Sequence, residues 1–274
     1  MPIDERFPRP TVMGVVNVTP DSFSDGGELV RPADAIALAR QLVEKGAGLV
    51  DIGGESTRPG ADAVSVEEEL RRIEPVLAGL EGVAVSIDTS KAAVAERALE
   101  LGAELVNDVT ALRGDASMAA LVAEHGAYVC LMHMQGEPRT MQESPRYDDV
   151  VSEVAAFLEE RLAFAVSEGI REELVCLDPG IGFGKTPDQN LELVRRLDRL
   201  VAIGSPIVFG VSRKSTLARV LGNSGSSRGT VAASVGAAVA AYERGASILR
   251  AHDVRETIEA IAVAAAVERG TVTA

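Results

Sequence analysis

The stretch Lys45-Gly46-Ala47-Gly48-Leu49-Val50-Asp51-Ile52-Gly53-Gly54-Glu55-Ser56-Thr57-Arg58-Pro59-Gly60 decides the fold. Gly46 closes a helix whose apolar face runs through Asp34–Lys45, since glycine at this position takes the left-handed conformation that ends a helix. A short apolar run, Leu49–Gly53, follows within three residues and breaks into a polar, glycine-rich tail. That is one helix–strand–loop step. The step recurs in Leu80–Ile87 (LEGVAVSI), Leu101–Asp108 (LGAELVND), His125–Met132 (HGAYVCLM), Glu168–Leu177 (EGIREELVCL) and Arg244–Arg250 (RGASILR).

Working outward, strand-like runs fall at Val12–Val18, Leu49–Gly53, Val83–Thr89, Leu105–Val109, Tyr128–Met134, Leu174–Pro179, Ile207–Ser212 and Ile248–Asp253. Between them lie helical patterns at Asp34–Lys45, Ser65–Leu80 (opened by a capping box of Ser65 and Glu68), Ala92–Leu101, Ser117–Glu124, Asp149–Ser167, Asp188–Leu200, Val231–Arg244 and Val254–Val267. Eight alternating βα units without a linker predict a single-domain α/β protein, a (β/α)8 TIM barrel over residues 1–274. The rival, an open doubly wound sheet, usually has fewer strands and a G-x-G-x-x-G after its first strand, which is absent here.

Composition narrows the function. The chain has 274 residues, 46% of them hydrophobic, 3% aromatic, with no Trp, so its core rests on Ala, Val, Leu and Ile, as strands buried on both faces require. A net charge of −14 argues against nucleic acid or an anionic membrane as partner, because both need a basic footprint. No apolar run reaches the length of a membrane span and the N-terminus lacks a signal-peptide pattern, so a cytoplasmic protein is expected. Cys130 and Cys176 sit in apolar runs and read as buried thiols rather than a disulfide or redox pair.

Barrel enzymes of this kind assemble their sites at the C-terminal ends of the strands. Each strand end here is polar: Asn17, Asp51, Asp88-Thr89, Asn107-Asp108, Met132-His133, Asp178, Ser212-Arg213-Lys214 and Arg250-Ala251-His252-Asp253. One such residue alone reads as a helix N-cap. Eight together require partners, and a polar ligand supplies them. Carboxylates at Asp88 and Asp178 and the Asn107 amide suit the paired N–H groups of an aminopyrimidinone edge. Lys214 can donate to a ring carbonyl or nitrogen, and Phe183 is placed either to cover a flat ring or merely to anchor its loop. Arg58, Arg250 and His252 suit an anionic leaving group, with Asn17 offering an oxygen to Mg²⁺. His125, before Gly126, reads as a helix cap, and His133 stays open between core and site. No nucleophile–base pair and no zinc motif is present, so the chemistry expected is group transfer driven by an anionic leaving group.

At these positions the chain resembles the dihydropteroate synthase family. The resemblance rests on NVTPDSFSDGG from Asn17, DIGGESTRPGA from Asp51, SIDTSK from Ser86, NDV from Asn107, LMHMQGEPRTMQ from Leu131, DPGIGFGKT from Asp178, GVSRKS from Gly210 and R-x-HD from Arg250, in the family's order. It implies a folate-pathway transferase that joins a dihydropterin diphosphate to 4-aminobenzoate, uses Mg²⁺ and forms a homodimer. By motif position Asp88, Asn107, Asp178 and Lys214 would hold the pterin with Met132 and Phe183, and Asp88, Asp178 and Lys214 would carry the catalysis. Thr57, Arg58, Arg250 and His252 would hold the diphosphate, with Asn17 at the metal. Phe23, Ser24 and Asp25 in the first loop, Pro59 in the second, and Ser215 would shape the 4-aminobenzoate pocket, where sulfonamides bind in the family. Ala251 stands where a larger aliphatic residue is expected. Two alternatives share the architecture, a methyl-presenting pterin barrel and a non-catalytic pterin-binding paralogue; neither needs the first-loop motif and the Arg250/His252 pair together.

Overall fold

A computed structural model describes residues 1–19, 31–57, 60–137, 139–223, 225–226 and 228–272. Eight parallel strands follow one another around the sheet: β1 (Thr11–Asn17), β2 (Leu49–Gly53), β3 (Val85–Asp88), β4 (Leu105–Asp108), β5 (Tyr128–Met132), β6 (Val175–Asp178), β7 (Val208–Phe209) and β8 (Ile248–Ala251). β1 pairs with both β2 and β8, and a parallel bridge between Leu177 and Ile207 brings β6 to β7. The barrel is thereby nearly closed, and all eight expected strands are present: β2 with its expected bounds, β1 shifted one residue earlier and the other six shorter than expected.

The helices are α1 (Ile3–Arg6), α2 (Pro32–Glu44), α3 (Val66–Ala78), α4 (Ala92–Glu100), α5 (Met118–His125), α6 (Val150–Ser167), α7 (Pro187–Arg195), α8 (Asp198–Val201), α9 (Ser215–Val220), α10 (Val231–Glu243) and α11 (Val254–Arg269). No helix among the described residues is long and apolar enough to cross a membrane. Two local expectations need correction. The helix expected over Asp188–Leu200 breaks at Arg196, whose side chain is drawn to the α6 cap residue Asp149 at 2.7 and 3.1 Å. At Ser65 half of the capping box forms: Ser65 accepts from the Glu68 amide, while the Glu68 carboxylate is taken by Arg71 and Arg72. A full capping box stands instead at Thr186 and Gln189, opening α7. Short helices α1 and α9 were not expected.

Alternation along each strand sorts side chains into two cores. Outward-facing Val12, Val16, Val50, Ile52, Ile87, Val106, Val129, Leu131, Leu177 and Leu249 bury against the helices. Inward-facing Met13, Leu49, Leu105, Cys130, Cys176, Val208 and Ile248 form a separate apolar layer inside the barrel, closed from below by Ile3 and Phe7 around α1. Both cysteines are buried and free, as expected. Phe7 meets Tyr128 edge to face at 5.7 Å. Phe7→Ala therefore opens a cavity in this floor, and a loss of about 3–5 kcal/mol is expected, read as a lower denaturant midpoint at unchanged slope. Above the floor the inward positions turn polar, starting at Asp51 and Ser86.

Candidate active site

Strand register aligns the residues of the mouth. Asn17 lies opposite Gly53, Gly53 opposite Asp88, Asp88 opposite Asn107, and Met132 opposite Asp178. Glycine at position 53 leaves open space between Asn17 and Asp88, since a Cβ there would stand 3.7 Å from Asn17 Oδ1 and 3.5 Å from Asp88 Cβ. Asp88, Asn107, Met132 and Asp178 are all buried.

One step deeper sits an ion cluster. Arg250 donates from Nε to Asp51 Oδ2 at 2.6 Å and from Nη2 to Asp88 Oδ2 at 2.9 Å, while Asn107 Nδ2 donates to Asp51 Oδ2 at 3.1 Å. Among the described residues the other carboxylate oxygens, Oδ1 of Asp51 and Oδ1 of Asp88, are buried without a partner, and so is Ser86 Oγ. Unsatisfied buried acceptors are costly; a ligand with N–H groups removes that cost. Burial and the Asp51 carboxylate push Asp88 up to about 7, against the pull of Arg250. Burial also raises Asp178, opposed chiefly by Lys214.

On the opposite wall, Asp178 Oδ1 accepts from the Gly180 amide at 2.7 Å. Lys214 donates to the Ile181 carbonyl and lies 4.7 Å from the centre of the Phe183 ring. Burial lowers the Lys214 ammonium to about 8. Its loop is locked by Arg213, which takes a positive φ of 57° and pairs with Asp253 at 3.0 and 2.5 Å. Phe183 packs with Val109, Met132, Met134 and Met141, which form an apolar patch beside the carboxylates. Phe183 thus does more than anchor a loop: it faces both the patch and Lys214. A slot with acceptors on one edge and apolar or π surface beside it fits a flat, N–H-rich ring.

Other expectations fall out as follows. His252, half-buried, approaches Ser212 Oγ with Nδ1 at 3.1 Å. Thr57 is half-buried at the base of the β2–α3 loop, and Ser215 is exposed at the start of α9. Phe23, Ser24, Asp25, Arg58 and Pro59 lie outside the described residues. His125 caps α5 through the Leu121 carbonyl. His133 resolves as an interior residue: it is buried, its Nδ1 is 2.9 Å from Lys185 Nζ, and burial with that neighbouring charge lowers its pKa to about 2. Sequence reasoning placed Asp51 among the polar strand ends without giving it a role, and gave none to Lys185. Asp51 carried a usable signal, since an acid at an inward position of a fully buried strand demands a partner.

A parallel barrel whose C-terminal mouth holds unsatisfied buried carboxylates beside an aromatic and a lysine defines a ring-binding barrel enzyme. The chain belongs to the pterin binding enzyme family, whose profile matches residues 13–252. Among its relatives, the dihydropteroate synthase of Neisseria meningitidis serogroup B is 48% identical over 262 residues, covering 93% of this chain and 92% of the relative. The Yersinia pestis dihydropteroate synthase, solved in a sulfonamide drug complex, superposes with a TM-score of 0.89 at 43% identity, covering 95% of each chain. The Xanthomonas albilineans dihydropteroate synthase in complex with 7,8-dihydropteroate gives a TM-score of 0.84 at 42% identity, covering 96% of this chain and 95% of that one.

Proposed function

We propose that the polar mouth is the active site of a dihydropteroate synthase, with the residues assigned below. The enzyme is a transferase of folate biosynthesis: it condenses (7,8-dihydropterin-6-yl)methyl diphosphate with 4-aminobenzoate, giving 7,8-dihydropteroate and diphosphate. The carrying observation is the pair of partnerless carboxylate oxygens on Asp51 and Asp88, buried across the mouth from Asp178 and Lys214.

The pterin edge donates to Asp88 and Asp178, Asn107 pairs with a neighbouring ring atom, and Lys214 turns from the Ile181 carbonyl to a ring acceptor. Met132 and Phe183 flank the ring. The bond between the 6-methylene carbon and the diphosphate oxygen breaks with both electrons leaving on oxygen. Positive charge spreads into the pterin, where buried carboxylates stabilise it better than water does. The 4-aminobenzoate nitrogen forms the new C–N bond and loses a proton to solvent. Arg250 and His252, with Thr57 and Arg58, favour the departing anion; Phe23, Ser24, Asp25, Pro59 and Ser215 border the acceptor. Mg²⁺ would be held by Asn17 Oδ1 together with the diphosphate itself, and when bound supplies neutralisation of the leaving group. Asn17 offers a carboxamide oxygen at the mouth, 3.7 Å from where a Cβ on Gly53 would stand, and Mg²⁺ commonly binds through few protein groups plus phosphate.

The test is diphosphate release from the dihydropterin diphosphate with Mg²⁺, with and without 4-aminobenzoate. Release that requires 4-aminobenzoate and falls at least about 1,000-fold in Lys214→Ala is expected; tight pterin binding without release would move the function to a binding protein. Asp88 adds a pH signature. Burial and Asp51 raise its carboxyl to about 7, and a pterin N–H needs the ionised form. Pterin binding therefore releases a proton near neutral pH and tightens from pH 6 to 8, as calorimetry in buffers of different ionisation heat will read. Asp88→Asn abolishes the proton release; if it leaves kcat unchanged, the role given to Asp88 is wrong.

A homodimer also fits, since Val231 on α10 and Val263 and Val267 on α11 are exposed apolar residues on neighbouring helices. Light scattering at twice the 28.7 kDa chain mass is the expected result. Free thiols at Cys130 and Cys176 suit a reducing, cytoplasmic setting.

A further inference from the structure

The segment between β6 and α7, Gly180–Gly184, gives each of its five carbonyl oxygens a side-chain donor. Lys185 Nζ serves Gly180 and Phe183, both at 3.0 Å; Lys214 serves Ile181; Gln142 serves Gly182; and the Tyr147 hydroxyl serves Gly184 at 2.8 Å. Turning so many carbonyls outward from one short loop needs left-handed backbone, and Gly180, Gly182 and Gly184 take φ of 65°, 81° and 63°. Two of these glycines press on the end of β5. A Cβ on Gly180 would strike the His133 carbonyl oxygen, and one on Gly184 the Gln135 carbonyl oxygen.

Lys185 is the centre of this arrangement. It is 2% exposed, and besides the two loop carbonyls its Nζ meets the His133 carbonyl at 3.3 Å and His133 Nδ1 at 2.9 Å. An ammonium matches these partners by donating to Gly180, Phe183 and an unprotonated His133 Nδ1, with the His133 carbonyl as a longer fourth contact, whereas a neutral amine would need Nδ1–H to donate to it and would leave the third carbonyl unserved. Burial, with the Lys214 ammonium nearby, pushes Lys185 well below the usual lysine range against the Asp178 carboxylate; the convergent carbonyl dipoles are what favour the charged form. An ammonium ringed by backbone carbonyls is the arrangement otherwise used to hold a small cation. Here the cation is covalently attached to the chain it organises.

We propose that Lys185 is a positioning residue for the pterin half of the site. It does not touch substrate. It fixes Gly180, whose amide holds Asp178 Oδ1, and Phe183, over which Lys214 lies. The remaining pterin contacts, Asp88 and Asn107, with Asp51 and Arg250 behind them, are built on β2, β3, β4 and β8 and do not depend on this loop. The inference rests on the mouth being the pterin site, so wild-type turnover is measured alongside: a wild-type enzyme that makes no dihydropteroate overturns the reaction, not the positioning role, which pterin binding still reads.

The experiment compares Lys185→Met, which keeps the stem and removes the donors, with Lys185→Ala supplemented by n-propylammonium or n-propanol. The chain has no Trp, so pterin fluorescence reports binding without protein overlap. The expected result is pterin binding and pterin KM weakened at least about tenfold in Lys185→Met, with the 4-aminobenzoate KM changed less than about threefold. Saturable recovery of pterin binding in Lys185→Ala by propylammonium, and none by propanol, is expected too. Equal loss in both KM values, unchanged pterin affinity, or equal recovery by propanol would each overturn the proposal. Where a variant does not fold, refolding promoted by propylammonium alone supports it, and refolding indifferent to the amine counts against it.

Discussion

Arg250→Met is expected to destabilise the enzyme by about 3–5 kcal/mol and to abolish turnover, because it strands two buried carboxylates. Arg250 is the cation that bridges Asp51 and Asp88, and each of these acids already has one oxygen without a partner. The sign of the accompanying pH effect follows from Asp88. Its folded pKa of about 7 lies above the ordinary aspartate value of 3.8, so between these values the folded state holds a proton that the unfolded chain has released. Asp88 therefore favours folding at acid pH, and that contribution is lost as pH rises through about 7. Without the guanidinium the folded pKa climbs further and the loss extends to higher pH. Denaturant titrations of the variant should show the larger deficit at pH 8 and partial recovery at pH 5; a deficit below about 1 kcal/mol, equal at both, would mean that Arg250 is not the counter-charge. Adding Asp51→Asn to Arg250→Met should recover part of the loss, since it removes one of the stranded charges.

Gly180→Ala should be nearly as severe. At φ 65° an alanine is strained on its own account, at about 1 kcal/mol. Here the added methyl also meets the carbonyl oxygen of His133, which is backbone and cannot rotate aside. Relief requires the loop to lift from the end of β5, which withdraws the Gly180 amide from Asp178. A fall of at least about 100-fold in kcat/KM for the pterin substrate is expected, about 2.7 kcal/mol of transition-state binding. Gly102→Ala is the control: its φ is 97° but nothing lies within 4 Å of the added methyl, so it should cost stability alone. A Gly180→Ala enzyme as active as the Gly102→Ala control would show that the loop tolerates displacement.

The barrel was legible because its signals are local. Each helix end, glycine and apolar run lies within about ten residues, and Leu49–Gly53 and Ile248–Ala251 emerge where the runs begin. The polar strand ends were legible for the same reason, and Asp88, Asn107, Met132, Asp178 and Lys214 do converge on one mouth. What was hidden depends on distance along the chain. Asp51 and Arg250 are 199 residues apart, and no window of sequence states that they meet. Lys185 read as the tail of a motif because its acceptors are backbone carbonyls, which any sequence supplies. Helix α1 escaped notice because four residues carry no periodicity; Ile3 and Phe7 are ordered by the floor they seal. The break at Arg196 likewise reflects a tertiary tie to Asp149 overriding a continuous helical pattern.

That floor has a consequence for traffic. Met13, Leu49, Leu105, Cys130, Cys176, Val208 and Ile248, stoppered by Ile3 and Phe7, make the barrel a blind vessel rather than a tunnel. Whatever enters the mouth must leave by it. On the proposed reading, ring, acceptor, product and diphosphate all pass through that one doorway, and none can slip out from behind.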